Sequence, residues 1–550
     1  MPPLALLTPV ALPLLAGGIT ALCGLAGLRV GRAVVAVAAW GAVIALLALW
    51  VPVRSTQVLT LGPLGFGAAL DLRLDAVAFA FGLIVLVPAA ILLTLQPRTW
   101  RESTAAALSV AAAALAVQAG GILFTALAGG TAATLAVIQL DIEDPRAPRP
   151  PWGMLLAAWL ALSWVGVILQ VRGGTAIYSA IPVSAFTVPV FSLLAVAALM
   201  ASGLFPWRGW PAVLWSRPSL RASGLAVATL HPLGFYLLVR AYELGDGRYP
   251  HPALNAALAI LGVVVAFGAA ARAQAATTRR LYLAELVPGL AGFALMALGL
   301  GTPLGLVACV IMLATASVLS ACLPILPDRA GLASLIAIAA AAGLPPGLAF
   351  GARVVGMEAT FEAGDLVGLI GIAAAATWLL SVVAAARSIG LPAGRGHPTA
   401  ETFPRAAMAL AGLTLVAGPA LALLVAAFAL PVAEAVMRVP AGAVVGGATS
   451  VATVSTVLPA VGLFVPLFVL AALALRAVDT GTTRPQPRGP LFLVPGTTAW
   501  ERFWERLRTA TVPDQYRSLV DPRALEAAAA SGRPLLWLAA LAALAFAVNR

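Results

Sequence analysis

The sequence predicts an all-α polytopic membrane protein with about 16 transmembrane helices. Hydrophobic residues make up 61% of the 550 positions and charged residues 10%, whereas a soluble domain carries about 25% charge. The mean hydropathy is +1.01. Apolar blocks recur at about 20 residues, the length with which a helix spans a bilayer, and not as the short alternating strands of a barrel. This composition excludes a soluble enzyme, a coiled coil and a disordered scaffold.

Polar residues, glycines and prolines divide the apolar blocks into individual spans. The first block begins at Leu4 without a basic segment before it, so we expect a retained helix instead of a cleaved signal peptide. The predicted spans are 4–27, 33–53, 75–96, 104–119, 121–140, 152–171, 183–205, 222–240, 253–271, 281–300, 303–326, 331–355, 366–386, 405–430, 450–475 and 534–549.

Arginines concentrate in every second loop between these spans, and all 33 basic residues of the chain are arginine. The rich loops hold Arg29, Arg32, Arg98, Arg101, Arg146, Arg149, Arg208, Arg217, Arg221, Arg272, Arg279, Arg280, Arg329, Arg387, Arg395 and Arg405, and a basic stretch from Arg476 to Arg533 follows them. Because cytoplasmic loops carry the excess of positive charge, the alternation predicts a plasma-membrane protein with its N-terminus outside. It also explains the net charge of +12 without a nucleic-acid partner.

The order of spans and loops predicts six regions. They are N-terminal helices in 1–103, two groups of helices in 104–240 and 253–390, further helices in 405–477, a cytoplasmic linker in 478–533 and a last helix in 534–550. Within the linker, the pattern of residues 499–508 predicts an amphipathic helix with aromatic residues on one face. This helix lies on the membrane surface or docks on a partner, or the linker is a solvated connector with a few anchoring aromatic residues.

Three short motifs carry a family resemblance. They are the segment 72–79 with Asp75 at the start of the third span, the Phe-Pro segment 205–211, and the Gly-Leu-Pro-Pro-Gly segment 343–353. Together with the topology, they resemble the antiporter-like subunits shared by respiratory complex I, multisubunit cation/proton antiporters and membrane-bound (group 4) hydrogenases. The similarity extends over residues 60–390 and does not select one member of the superfamily.

The resemblance implies two inverted repeats of five helices, the first half in 104–240 and the second in 253–390, each with one broken helix near the middle of the membrane. Pro206 and Pro211 follow the seventh span, and Pro345 and Pro346 lie inside the twelfth. Proline removes a backbone donor, and irregular backbone at membrane depth is tolerated where it lines a cavity or is buried in protein. A transport site is therefore expected at these breaks. A packing kink is the alternative, and we favour the functional break at Pro345-Pro346.

The ionisable residues depart from the family pattern. The pumping members share a Glu on the fifth span and Lys or His residues on later spans, but here 128–130 reads Ala-Gly-Gly and Ala201 occupies the first Lys position. His231 aligns near the eighth-span Lys and Arg353 with the twelfth-span Lys. The usual Glu/Lys relay is therefore expected to be missing. Histidine titrates in the right range, and Arg353 either holds a fixed positive potential or pairs with a carboxylate.

Four ion-pathway candidates follow, because ionisable residues inside a membrane are functional by default: His231, Arg353, Glu285 and Asp75. For three of these four residues, a purely structural role is the alternative to a role in ion movement.

His231 either transfers protons or bonds a carbonyl freed by Pro232. Glu285 either takes part in a pathway or pairs with Arg279 or Arg280 at the membrane edge. Asp75 is either functional or caps its helix, and Arg240 is expected to be an interfacial anchor.

No catalytic, cofactor or metal motif is found. The cysteines Cys23, Cys309 and Cys322 lie in apolar runs without metal-ligand spacing, and a phosphate-binding loop with lysine is impossible in a chain without lysine. No cofactor is therefore expected on this chain, which would be a non-catalytic subunit if its complex is a quinone reductase or a hydrogenase.

Two functions of different classes fit these observations. The first is an antiporter-like membrane-arm subunit of an energy-converting complex, supporting or structurally accompanying proton or cation translocation beside other membrane subunits. The second is a membrane scaffold that holds a soluble redox or zinc-containing subunit on the cytoplasmic side, as in inorganic-carbon accumulating complexes. A stand-alone transporter is less favoured, because no polar substrate-binding cluster is apparent in the spans.

Overall fold

The fold is given by a computed structural model. It describes residues 3–28, 31–65, 68–95, 98–145, 152–204, 209–215, 221–326, 331–363, 365–389, 391 and 403–438. Pro206, the predicted spans 450–475 and 534–549 and the amphipathic segment 499–508 lie outside these residues.

The described chain is predominantly helical, and eleven of its helices are long and apolar enough to cross a membrane. The helices are α1 Thr8–Leu25, α2 Gly31–Trp50, α3 Ala76–Leu95, α4 Trp100–Gln118, α5 Ile122–Glu143, α6 Trp152–Gly173, α7 Val188–Ala201, α8 Gly209–Trp215, α9 Arg221–Leu244, α10 Pro252–Ala275, α11 Arg279–Gly299, α12 Pro303–Cys322, α13 Leu332–Ala342, α14 Leu348–Glu362, α15 Asp365–Ser388, α16 Pro404–Val416, α17 Leu421–Leu424 and α18 Leu430–Met437. The predicted all-α polytopic class is confirmed.

Threonines begin several of these helices. The hydroxyl oxygens of Thr99, Thr278 and Thr302 accept hydrogen bonds from the backbone N–H groups three residues later, at the starts of α4, α11 and α12. Such caps satisfy donors that have no partner within the helix, which matters most where the helix end meets an apolar phase.

A β-hairpin precedes α3, in the stretch between the second and third predicted spans. Strand β1 (Gln57–Gly65) pairs antiparallel with β2 (Ala68–Leu74), with Leu59 opposite Leu72 and Thr60 opposite Asp71. Residue 72 also bridges Ala119 between α4 and α5. The hairpin therefore lies against the α4–α5 junction.

The chain divides into two compact units. Among the described residues, unit 1 comprises 3–252 and 431–438, and unit 2 comprises 253–430. In unit 1, the most apolar stretch of α9 is completely buried and that of α3 is mostly buried, so these two helices form the centre of the unit. Their charged ends therefore face protein instead of lipid.

Unit 2 contains two interrupted helices. The predicted span 331–355 is two helices, α13 and α14, separated by the Gly343–Gly347 segment with its two prolines. The predicted span 405–430 is interrupted as well, by a 3-10 turn at Gly418–Ala420 and a π-helical turn at Val425–Ala429. A Cβ on Gly418 would overlap the Pro346 carbonyl oxygen at 1.5 Å, so the second interruption packs its backbone directly against the first.

Candidate functional site: the helix breaks and the buried charges

Arg353 closes the break between α13 and α14. From the second turn of α14, its guanidinium donates to the carbonyls of Ala342 and Ala341 at the end of α13, the latter at 3.3 Å. The last carbonyls of a helix have no partner within the helix and carry its negative dipole end. A fixed positive charge therefore caps a half-helix inside the protein.

Two aromatic rings and a glycine complete this site. The Arg353 guanidinium carbon lies 4.6 Å from the centre of the Phe293 ring and 5.5 Å from that of Trp378. The Trp378 indole N–H also donates to the Ala342 carbonyl at 3.1 Å. Gly343 adopts φ +72°, and a Cβ there would lie 2.2 Å from the Arg353 Nη1 atom. Glycine is thus required both by the turn and by the arginine.

Arg353 has no carboxylate partner within the described part of the chain, where its contacts are carbonyls and aromatic rings. Its buried Nε atom has no hydrogen-bond partner there. Because arginine is not deprotonated in proteins, this group supplies a constant potential and does not relay protons.

In unit 1, His231 lies at the break that follows α7. Its Nδ1 atom bonds the carbonyl of Ser202, which directly follows α7. The structural alternative predicted that His231 bonds a carbonyl freed by Pro232 in its own helix. The carbonyl that it bonds belongs to Ser202 instead, so the predicted partner is wrong. The Nε2 atom is buried without a hydrogen-bond partner among the described residues. His231 therefore joins α9 to the end of α7 through one nitrogen.

Trp210 is a second hydrogen-bond donor at this end of α7. It was not among the residues expected at the site. Its indole N–H donates to the Ala201 carbonyl at 3.1 Å, and its side chain is fully buried on α8 beside Pro211. The C-terminal ends of α7 and α13 are therefore capped in the same way. In each case a side chain from later in the sequence donates a hydrogen bond to the last carbonyls of the helix. Inside a membrane such carbonyls would otherwise have no partner.

Asp75 lies in a buried ring of four charges. Its carboxylate accepts two hydrogen bonds from the Arg240 guanidinium, at 2.7 and 2.9 Å, and forms an ion pair with Arg73 at 3.0 Å. Glu243 accepts from Arg73 at 2.6 Å and from Arg240 at 2.8 Å. The backbone N–H of Ala78 also donates to Asp75 at 2.9 Å, so the predicted helix cap is confirmed.

The expectation that Arg240 is an interfacial anchor is wrong. Its side chain is 1% exposed and lies between the rings of Tyr178 and Tyr236, at 5.4 and 5.1 Å. The Tyr178 hydroxyl donates to Thr125 at 3.0 Å, and burial raises the pKa of this phenol well above its usual range. Arg240 is instead the centre of a network that joins β2, α3, α9 and the loop after α6.

Glu285 pairs with Arg272 of α10 at 2.9 Å. Of the two partners expected, Arg279 donates to the Leu391 carbonyl at 3.1 Å, and the side chain of Arg280 lies outside the described residues. An ion pair near the membrane edge is therefore present, with a partner on a neighbouring helix that sequence proximity did not indicate.

A second charged cluster lies at the arginine-rich end of unit 1, which the topology predicts to be cytoplasmic. Glu143 at the end of α5 accepts from the Arg221 side chain at 3.0 Å and from the Ala222 backbone at 2.9 Å, and Glu102 lies 4.0 Å from Arg221. Burial lowers the pKa of Arg98 to about 10 in spite of the two nearby carboxylates. This cluster ties α4, α5 and α9 together at that end.

The described residues contain no group of three or more His, Cys, Asp or Glu side chains placed to hold a metal ion. Cys309 and Cys322 are buried free thiols, and Cys23 is half-buried.

No family model and no curated protein matches the sequence. Solved structures do match its fold. A chain of the Mrp complex from Dietzia sp. DQ12-45-1b superposes with a TM-score of 0.68 and 20% identity over 92% of this chain, which spans 60% of that chain. A chain of the membrane-bound sulfane sulfur reductase, an archaeal respiratory membrane complex, gives 0.65 and 18% identity over 92% of this chain and 91% of that one.

Respiratory complex I from Thermus thermophilus with bound NADH contains a third such chain, with a TM-score of 0.64 and 20% identity over 80% of this chain and 99% of that one. At these identities the likeness concerns the fold. The fold expected from the three sequence motifs is thus confirmed, and the chain has the fold of polytopic subunits found in these membrane complexes.

Proposed function

We propose that the chain is an antiporter-like membrane-arm subunit of a multisubunit energy-converting complex in the plasma membrane, with its N-terminus outside. It supports proton or cation translocation coupled to a partner, without carrying the family's usual Glu/Lys relay. The observation that carries this proposal is the pair of capped helix breaks, at His231 and at Arg353.

The chemistry of the two capping residues differs. An imidazole ring can bind and release a proton, so His231 is the member of the pair that can take part in proton movement within unit 1. Arg353 keeps its charge and raises the electrostatic potential around the α13–α14 break. In this proposal unit 2 acts on ions through a fixed field, and titratable groups for any longer pathway come from partner subunits.

The three similar structures support a multisubunit setting, since each is named as a complex. The alternative function is a membrane scaffold that anchors a soluble redox or zinc-containing subunit. The scaffold is favoured by the small number of ionisable groups in the described spans. Neither α7 nor α12 contains a charged residue.

Gentle-detergent purification of the tagged chain, with mass spectrometry of the co-purifying proteins, tests the proposal. We expect further membrane subunits together with redox or antiporter-type partners. Recovery with one soluble zinc protein and no other membrane subunit favours the scaffold. Recovery of the chain alone, folded and monodisperse, contradicts both and favours an independent transporter.

A further inference from the structure

Arg279 is buried at the start of α11, and part of its guanidinium group has no partner. The residue is 4% exposed, and its Nη2 atom donates to the Leu391 carbonyl at 3.1 Å. Its buried Nη1 atom has no hydrogen-bond partner within the described part of the chain, where Glu285 pairs with Arg272 instead. Arginine keeps its charge and is almost never buried without a compensating group. A negatively charged acceptor is therefore expected at Nη1.

This guanidinium lies where α10, α11 and α15 meet. Buried residues of all three helices form one apolar cluster there, with Leu391 packed against it: Ala273, Tyr282, Ala384 and Ala385. The side-chain amide of Gln274, near the end of α10, donates to the Leu380 carbonyl of α15 at 3.1 Å. The Leu391 carbonyl that Arg279 reaches thus belongs to a packed junction of three helices.

Arg387 brings a second positive charge to the same junction. Its Nη1 atom donates to the side-chain oxygen of Gln274 at 3.1 Å, and this amide is neutral. Arg272, by contrast, has the Glu285 carboxylate at 2.9 Å. Among the described residues, no carboxylate pairs with either Arg279 or Arg387. The junction therefore has an excess of positive charge that a ligand with a negative charge would balance.

The start of α11 strengthens the attraction for an anion. The helix runs for 21 residues, and Thr278 caps only one of its first backbone N–H groups, that of Leu281. The N-terminus of a helix carries the positive end of its dipole and favours negatively charged ligands such as phosphate. The buried Arg279 nitrogen without a partner is the independent observation that locates an acceptor at this end.

An apolar stripe on α15 leads to the junction. The residues recur at helical spacing, with the first three exposed and the last two half-buried: Ile372, Ala376, Leu379, Val383 and Arg387. Only 22% of the apolar stretch of α15 is buried, the smallest share among the candidate spans that the structure describes. A phospholipid whose acyl chain lies along this stripe would place its phosphate group at the start of α11.

We propose that Arg279 binds the phosphate group of an anionic phospholipid at the arginine-rich end of unit 2. Arg387 adds positive potential, and the acyl chains contact the apolar stripe of α15. The chemistry fits, because a guanidinium group is well suited to phosphate oxygens, and basic pockets between transmembrane helices suit anionic headgroups. Every one of these residues belongs to unit 2, and the proposal goes beyond the function proposed above and does not depend on it.

Lipid titration of the delipidated full-length protein in detergent tests the site. The probes are phosphatidylglycerol, phosphatidylcholine with the same acyl chains, and inorganic phosphate. The thermal unfolding midpoint and the number of bound lipids in native mass spectra are measured. The variants are Arg279→Gln, Arg279→Lys and Arg387→Gln. Arg101→Gln is the matched control, since Arg101 is an exposed arginine at the arginine-rich end of unit 1.

We expect phosphatidylglycerol to raise the midpoint of the wild type and of Arg101→Gln, and the other two probes to have little effect. Arg279→Gln should weaken phosphatidylglycerol binding roughly tenfold to a hundredfold, because a charge-assisted hydrogen bond is lost. Arg387→Gln should weaken it less, and Arg279→Lys should retain part of the binding because the positive charge remains.

Three results would overturn the proposal. The first is phosphatidylglycerol binding in Arg279→Gln as tight as in Arg101→Gln. The second is an equal rise with inorganic phosphate, which would assign the site to a free anion. The third is loss of a co-purifying subunit from Arg279→Gln with lipid binding unchanged, which would assign Arg279 to a protein interface. If Arg279→Gln does not fold, Arg387→Gln decides, and binding as tight as in the control then overturns the proposal.

Discussion

The Asp75 carboxylate and the Arg240 guanidinium face each other through two hydrogen bonds, at 2.7 and 2.9 Å, between the start of α3 and the last turns of α9. The two residues are 165 positions apart in the chain. Both are buried, and the pair holds the two central helices of unit 1 together at the hairpin end. Paired charges in this position are costly to separate, because each loses part of its compensating charge without regaining water.

Removal of one partner is therefore expected to be strongly destabilising. Arg240→Met leaves Asp75 buried beside Arg73 alone, and we expect a loss of about 3 kcal/mol. The measurement is the thermal unfolding midpoint of the purified protein in detergent. Asp246→Asn is the matched control, since Asp246 pairs with Arg438 and both side chains are 47% or more exposed. It should cost under about 1 kcal/mol. Equal effects of the two variants would contradict the role given to the ring.

Gly343→Ala is expected to weaken the α13–α14 break. The left-handed backbone costs a non-glycine residue about 1–2 kcal/mol, and the new methyl group would meet the Arg353 guanidinium. Gly331→Ala is the control, because a Cβ at that helix start meets nothing within 4 Å. The yield of folded protein in detergent and its unfolding midpoint measure both variants. A Gly343→Ala protein as stable as the control would show that Arg353 does not approach this backbone closely.

The Arg272–Glu285 pair is expected to behave asymmetrically. Glu285 is the more buried partner, so Arg272→Ala takes an ion-pair partner away from a buried carboxylate, whereas Glu285→Gln leaves a half-buried arginine that water can reach. We expect Arg272→Ala to lower the unfolding midpoint more than Glu285→Gln. The double variant Arg272→Ala/Glu285→Gln should recover part of the loss. Additive effects in this cycle would indicate that the two side chains do not interact.

The helical framework was predictable because its signals are local. Span length, apolar composition and the arginine alternation each depend on short stretches of sequence, and the Gly-Leu-Pro-Pro-Gly motif at 343–347 marks a break that the structure contains. The hairpin was missed although Leu70–Asp75 alternates apolar and charged residues with the period of a strand. Its signal was present but lay between two much stronger helical ones.

The partners of the buried charges were less predictable, because they depend on packing between distant segments. Arg240 lies near the end of its span, which suggested an interface, but α9 is surrounded by protein. His231 bonds the end of another helix, 29 residues earlier, instead of its own proline-freed carbonyl. Residue type and depth can be inferred from one sequence, whereas the identity of a tertiary partner requires the fold.

The most direct test of the central claim is coupled proton flux through the complete complex in proteoliposomes. The variants are His231→Phe, Arg353→Met and Arg353→Lys, each checked for subunit composition before reconstitution. The capped breaks predict reduced flux in His231→Phe and Arg353→Met with assembly intact, and better retention in Arg353→Lys because that residue keeps a positive charge near the end of α13. Unchanged flux in both His231→Phe and Arg353→Met would contradict a role of the two breaks in ion movement.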